Sequence, residues 1–315
     1  MEKIQKIGAL VLFSSVLMLM LMSFASSGIF DWFKGKGLTG RATISSVTVN
    51  ITVSSPFISF ISTIPAQDPL ENGNRTIYVN FTAHNSSVPI TDASALMNFS
   101  RSGETTRVNT TCTLQGRNNA TSSNYTCTMY LWYFDQNGAW TIGAYINDSN
   151  NATAVNTSAT FTYNQLSAFV SAPASITFPA ISPGITNTTS NNDPSLMNNT
   201  GNKDITAGNI DLNATQLVGE SDSTKVINTR NMTVGVLTGS NAECGVTNVT
   251  YNATVLQRAV FTVLNQSVLG RGNYSLNNGT QGQEQLYLCI LLAGTELTSQ
   301  PYSTSSQGAW TLRIN

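Results

Sequence analysis

The feature that most restricts the fold of this chain is a hydrophobic pattern with a period of two. In residues 246–255, Val-Thr-Asn-Val-Thr-Tyr-Asn-Ala-Thr-Val, the side chains of Asn248, Thr250, Asn252 and Thr254 fall on one side of an extended strand. Val249, Tyr251, Ala253 and Val255 fall on the other. Residues 74–82 follow the same rule, with Ile77, Val79 and Phe81 alternating with Thr76, Asn80 and Thr82. A helix repeats every 3.6 residues and would mix the two sets. Helical periodicity is absent after the leader, and the expected fold class is all-β.

The polar face has its own regularity. Asn and Thr two residues apart form the Asn-X-Ser/Thr acceptor of N-glycosylation, and on a strand both project from the same side. With 34 Asn in the chain and a Ser/Thr frequency of about 24%, chance supplies on the order of 8 such triplets. The chain has 20. Their asparagines are Asn50, Asn74, Asn80, Asn85, Asn98, Asn109, Asn119, Asn124, Asn147, Asn151, Asn156, Asn187, Asn198, Asn213, Asn231, Asn248, Asn252, Asn265, Asn273 and Asn278. The expectation is a sheet wet on one face and coated there with sugar.

Composition points the same way. Of 315 residues 10% are charged and 41% hydrophobic. That is an ordinary apolar share with well under half the usual charge, so amides and hydroxyls must keep the surface soluble. Fifteen basic and 16 acidic residues leave no basic stripe for a phosphate backbone, which argues against nucleic acid as a partner. Cys112, Cys127, Cys244 and Cys289 include no C-x-x-C, and His84 is the sole histidine, so no metal site and no cofactor is expected. An even cysteine number behind a secretory leader points to disulfides in an oxidising compartment. Pairing Cys112 with Cys127 and Cys244 with Cys289 keeps each bridge within one half of the chain.

Lys3 and Lys6 precede an apolar run over residues 7–25 that ends in Ser23-Phe-Ala25. The small residues suit signal-peptidase cleavage, but the run is about the length that spans a bilayer, and Trp32, Phe33, Lys34 and Lys36 follow it as interfacial anchors do. Residues 1–27 are therefore a signal peptide or a signal anchor. Either places the body outside the cell, secreted or held to the membrane by the N-terminal segment. Residues 28–46, with Gly35, Gly37 and Gly40, read as linker.

Strands are expected from residue 47: at 47–53, 76–82, near 95–101, and at 108–114, 125–134, 140–146 and 158–163. Turns at Asn72-Gly73 and Asn137-Gly138 separate some of them. Seven short alternating strands over 47–165 describe one β-sandwich. After a polar tract around 187–202, further strands at 205–212, 232–237, 246–256, 259–264, 286–292 and 309–314 describe a second over 166–315. Gly308-Ala-Trp-Thr-Leu312 echoes Gly138-Ala-Trp-Thr-Ile142, each a turn leading into a strand with an inward Trp.

Cys127-Thr-Met-Tyr-Leu-Trp-Tyr-Phe-Asp-Gln-Asn-Gly-Ala-Trp-Thr-Ile142, Ala144-Tyr-Ile-Asn-Asp148 and Ala159-Thr-Phe-Thr-Tyr163 resemble the last three strands of immunoglobulin-like domains in prokaryotic cell-surface proteins. Asn198-Asn-Thr-Gly-Asn202 and the leader's exit, Ile29-Phe-Asp-Trp-Phe33 and Leu38-Thr-Gly-Arg-Ala42, resemble segments of secreted archaeal proteins. The resemblance implies two tandem immunoglobulin-like sandwiches. It implies no particular partner. One departure is that Cys112 and Cys127 lie across a hairpin containing Gly116, Asn118 and Asn119, not on two facing sheets.

Catalytic chemistry finds little support. His84 reads as a solvated turn histidine, and no nucleophile elbow, phosphate loop or H-E-x-x-H occurs. Asp135-Gln-Asn-Gly138 starts like a calcium loop but lacks its later ligands, which favours an Asn-Gly hairpin turn. Asp193, Asp204, Asp211, Glu220 and Asp222 have no spacing that requests a glycosidase pair. Tyr130 and Trp132 share a parity opposite to Cys127, Met129 and Leu131, so they form either a ligand platform or an interdomain contact.

The resulting expectation is a non-catalytic, heavily N-glycosylated extracellular structural or adhesion protein that meets a surface protein or a glycan. It touches the membrane only through an uncleaved leader. A carbohydrate-binding module, or a filament subunit that donates residues 47–53 to a neighbour's sheet, are the alternatives.

Overall fold

The computed structural model describes residues 54–119, 121–236, 244, 253–272 and 282–315. The leader, the linker, the expected strand at 47–53 and most of the strand at 246–256 lie outside the described residues.

The described chain is all-β, with one 3-10 turn, Thr229–Asn231, and no α-helix among the described residues. Its first eight strands are β1 (Phe57–Ile61), β2 (Asn74–His84), β3 (Ile90–Ser100), β4 (Arg107–Asn109), β5 (Thr113–Asn119), β6 (Ser122–Trp132), β7 (Gly138–Asp148) and β8 (Thr153–Tyr163). They form two antiparallel sheets ordered β1-β2-β6-β5 and β4-β3-β7-β8.

Alternation sets which face each sheet turns inward. In β2, Ile77, Val79, Phe81 and Ala83 are buried while Asn74, Thr76, Tyr78 and Asn80 are exposed, and β6 buries Tyr125, Cys127, Met129 and Leu131. These meet Met97, Phe99, Trp140, Ile142, Ile146 and Phe161 from the other sheet in one core. Phe81 stacks on Tyr125 and Phe99 leans on Phe161. Each such side chain contributes about 1.5–3 kcal/mol by leaving water.

Three local features depart from the sequence expectation. The Phe57-Ile-Ser-Phe-Ile61 run is itself edge strand β1, and a register shift between Ile58 and Phe60 sends Ile58 and Ile61 inward and both phenylalanines outward. The expected strand at 108–114 is split, because the chain leaves β4 in one sheet and enters β5 in the other. Asn137-Gly138 is likewise no hairpin turn. Gly138 has a φ of 113° and sits where the chain crosses from β6 to β7 between sheets, a left-handed conformation suited to glycine.

The remaining strands are short except β18: β9 (Phe169–Ala172), β10 (Thr186–Thr189), β11 (Ser195–Asn199), β12 (Ile210–Asn213), β13 (Leu217–Gly219), β14 (Val226–Ile227), β15 (Met232–Gly235), β16 (Thr254–Val255), β17 (Thr262–Val263), β18 (Gln283–Leu292), β19 (Tyr302–Ser303) and β20 (Thr311–Ile314). β18 is the hub, pairing with β10, β11 and β15 in a six-stranded sheet. Its residues Leu286, Tyr287, Leu288, Cys289 and Ile290 are buried in succession, as in a strand covered on both faces. Two three-stranded sheets, β17-β12-β20 and β14-β13-β19, complete this part around a second core. The tract at 187–202, expected to be loop, supplies β11 and most of β10.

Cys112 is bonded to Cys127, and Cys244 to Cys289. The first bridge joins the entry of β5 to β6 with Cα atoms 4.3 Å apart. Its 15-residue separation corresponds to about 3 kcal/mol of loop-closure entropy.

The two cores meet through polar contacts. Arg271 donates to the Phe134 carbonyl (2.9 Å) and to Glu104 (2.5 Å), while its backbone N–H donates to Asp204. Nearby, Thr200 donates to Glu71 at 2.8 Å.

Candidate functional site

The outer face of sheet β1-β2-β6-β5 gathers the largest number of sequence-singled residues. Antiparallel register sets Asn74 opposite Trp132, Thr76 opposite Tyr130, Tyr78 opposite Thr128, Asn80 opposite Thr126 and Thr82 opposite Asn124. The amides and hydroxyls lock across the strands. Thr126 Oγ1 donates to Asn80 Oδ1 (2.6 Å) and Thr82 Oγ1 donates to Asn124 Oδ1 (2.9 Å). No outward position of β2 or β6 in this ladder carries a formal charge.

Aromatic rings stand among these groups. Tyr78 is 68% exposed, Phe57 56%, Phe60 52% and Tyr130 49%. Phe57 lies opposite His84 and stacks on its ring, and Phe60 lies opposite Thr82. Trp132 is half-buried and stacks parallel on Phe134, whose side chain abuts Gly272. The pair expected to act together is thus divided. Tyr130 faces solvent, and Trp132 leans on the junction between the cores.

His84 is also placed differently from its expectation. β2 runs on to His84, so the imidazole belongs to a strand face instead of a turn, and its Nε2 lies 2.7 Å from Ser59 Oγ. A hydroxyl hydrogen-bonded to an imidazole is the nucleophile–base element of acyl transfer. Among the described residues no carboxylate is hydrogen-bonded to that ring.

The described acceptor asparagines fall into three groups. Asn74, Asn80, Asn151, Asn187 and Asn265 are exposed. Others use their amide nitrogen inside the fold: Asn85 donates to Asp148, Asn98 to Tyr145 Oη, Asn109 to the Thr128 carbonyl, Asn124 to Asn118 and Asn156 to the Ile58 carbonyl. Asn85 is 3% exposed, and its Oδ1 accepts from the N–H groups of Ser87 and Val88. Asn147, Asn198, Asn213 and Asn231 are half-buried. The side chain of Asn119 and all of Asn50, Asn248, Asn252, Asn273 and Asn278 lie outside the described residues.

Four of the five acidic residues weighed as catalytic pairs, all but Glu220, are separately engaged. Asp193 accepts from Leu288 N–H, Asp204 from Arg271 N–H and Asp222 from Thr224. Burial would raise the Asp211 carboxyl, but hydrogen bonds from Arg313 and Asn315 outweigh it and hold it below the usual range. Asp135 was read as part of an Asn-Gly turn. It is fully buried, bonded to Arg107 and accepting from Trp132 N–H at 2.7 Å. Burial pushes its carboxyl up, against the pull of the Arg107 guanidinium. Nothing in the sequence joined Arg107 to Asp135.

No protein-family model matches this chain, and no curated protein matches it. Among solved structures it is similar to a secreted serine protease, VesC, from Vibrio cholerae, with 9% identity and a TM-score of 0.20, covering 81% of this chain and 51% of the protease. The chain thus spans about half the length of that protein. It is also similar to a partial N-terminal region of an enterococcal surface protein, with 7% identity and a TM-score of 0.19, covering 80% of this chain and 88% of that one. The first likeness corrects the expectation of a non-catalytic chain, which is set aside. At such a TM-score the likeness assigns this chain neither a reaction nor catalytic residues.

Proposed function

We propose that this chain is an N-glycosylated extracellular surface protein with a structural or adhesive role, its first part an immunoglobulin-like sandwich. The strand order supports the architecture. With β1 to β8 lettered A, B, C, C′, D, E, F and G, the two sheets read A-B-E-D and C′-C-F-G. A second sandwich over 166–315, secretion or anchoring by the N-terminal segment, and a surface protein or glycan as partner belong to the same reading.

The observation that carries the proposal is the outer face of β2 and β6, where three acceptor triplets, at Asn74, Asn80 and Asn124, share one uncharged face. Intact-mass measurement on protein purified from its native host tests it. The expected result is a mass above that of the polypeptide by several saccharide units. A mass equal to the bare chain refutes the glycan coat.

A further inference from the structure

The outer face of β1-β2-β6-β5 presents a physical problem of its own. Phe60, Tyr78 and Tyr130 are each about half or more exposed on one face, and rings displayed together on a soluble surface ordinarily have something to cover them. The register shows what stands next to them. Tyr78 precedes Asn80 by two residues on the same strand face, about 7 Å along the strand. Phe60 is opposite Thr82, diagonal to Asn80 on its other side. Trp132 is directly opposite Asn74, and Tyr130 is opposite Thr76, diagonal to Asn74. Asn80 therefore has an exposed ring on two sides, and Asn74 has exposed Tyr130 on one, the Trp132 ring being stacked on Phe134.

The acceptors are also set for outward attachment. Asn80 Oδ1 is held by the Thr126 hydroxyl, and the Nδ2 atoms of Asn80 and Asn74 make no hydrogen bond among the described residues. Asn124, in the same ladder, instead spends its Nδ2 on Asn118. The uncharged lining favours a neutral ligand with both apolar and hydroxyl surface. A pyranose has these in one ring: a face of C–H bonds that lies against the electron-rich face of an aromatic, and an edge of hydroxyls for Asn and Thr.

We infer that the occupant of this face is the protein's own N-linked sugar. The saccharides on Asn80 and Asn74 fold down onto Tyr78 and Phe60, and onto Tyr130, so that modification covers the aromatic face and stabilises the sandwich. The inference rests on the glycosylation proposed above and goes further by giving the sugar a binding site on the chain that bears it.

The test uses full-length protein from the native host. Glycopeptide mass spectrometry first scores Asn74 and Asn80. Thermal unfolding then compares the wild type with Tyr78→Ala, Asn80→Gln and the double variant, with Tyr78→Phe as a ring-preserving control. Tyr78 is so exposed that its removal leaves the core intact.

The expected result is that Tyr78→Ala lowers the midpoint by about 2–4 °C when Asn80 carries sugar, but not in the Asn80→Gln background. Sugar C–H resonances should show upfield ring-current shifts that Tyr78→Phe retains and Tyr78→Ala loses. Sugar present at both sites without coupling or shifts overturns the inference and leaves the coat standing. Bare Asn74 and Asn80 in a chain glycosylated elsewhere overturn it in the same way, whereas a wholly bare chain overturns both. Unglycosylated chain that binds soluble neutral polysaccharide, and loses this with Tyr78→Ala, overturns it in favour of an external glycan.

Discussion

Replacing Arg107 with methionine should destabilise the first sandwich strongly at neutral pH and less so in acid. Asp135 is fully buried, and its oxygens accept from Arg107 Nε (3.2 Å), Arg107 Nη2 and the Trp132 N–H (2.7 Å). Methionine keeps the apolar stem but removes the charge that offsets the carboxylate. Breaking a buried pair from one side costs about 3–5 kcal/mol, most of it the penalty of the charge left behind. The pH dependence follows from the direction of the Asp135 shift. Burial already raises this carboxyl, with Arg107 opposing it. Without Arg107 the folded-state pKa climbs further above the unfolded value of about 3.9. The native state then binds the proton more tightly than the unfolded state, so stability is regained as pH falls towards and through the folded pKa. Urea unfolding followed by tryptophan fluorescence suits the measurement, because the Arg107 guanidinium lies 6.0 Å from the Trp140 ring centroid. The deficit should be several kcal/mol at about pH 7 and visibly smaller at about pH 5. Adding Asp135→Leu should recover much of it, since a buried pair replaced whole by apolar groups is often nearly neutral. A loss below about 1 kcal/mol at neutral pH, or one equal at both pH values, would refute the reasoning.

Three further outcomes follow from the same geometry. Cys112→Ser with Cys127→Ser should cost roughly 3 kcal/mol in denaturant titration, the loop-closure term for a separation of 15 residues. Glycopeptide mapping of native protein should find sugar on Asn80 and Asn187 and none on Asn85, whose carboxamide is buried between Asp148 and the 87–88 backbone; an occupied Asn85 in folded protein contradicts this. Asp211, held below its usual range by Arg313 and Asn315 against the effect of burial, contributes stability that is complete above the unfolded carboxylate pKa of about 4 and is lost as pH falls through the lower folded value. In Arg313→Leu, a stability profile from about pH 5 to pH 2 should show less of that acid-side loss.

The strands of the first sandwich were legible because each has one wet face and one dry one. β2, β6, β7 and β8 overlap the runs that alternation marks at 76–82, 125–134, 140–146 and 158–163. Where the rule of one wet face failed, the reading failed with it. β1 carries a register shift, so its inward residues are three apart and the run reads as a plain apolar patch. β18, expected at 286–292, is the exception: it is covered on both sides, and its apolar block marks it without any parity. β11 buries Ser195 and Asn199 with Met197, and a polar strand buried by its neighbours has no apolar signature to find. The site divides in the same way. The outward parity of Tyr130 and Trp132 was visible, but the stacking of Trp132 on Phe134 depends on how the second core abuts the first. Arg107 with Asp135, and Ser59 with His84, are brought together only by strand order and register, which no local spacing records.

The acceptor triplet and the strand share a period of two, so an outer face built from Asn and Thr generates triplets as a by-product of solubility alone. Two observations separate that origin from a surface built to be modified. Acceptors also occur where the regular period is interrupted: Asn151 follows β7 in a turn with φ of 63°, and Asn187, within β10, has φ of 54°. A left-handed backbone accounts for the asparagine in each case but not for Thr153 and Thr189 two residues later. The second is the exposed rings. A face selected only for wetness gains nothing from displaying Phe60, Tyr78 and Tyr130, whereas a face that carries sugar gains a cover for them and a support for the sugar. On the proposed coat, a surface with only 10% charged residues would draw its hydration from saccharide hydroxyls held against the sheet.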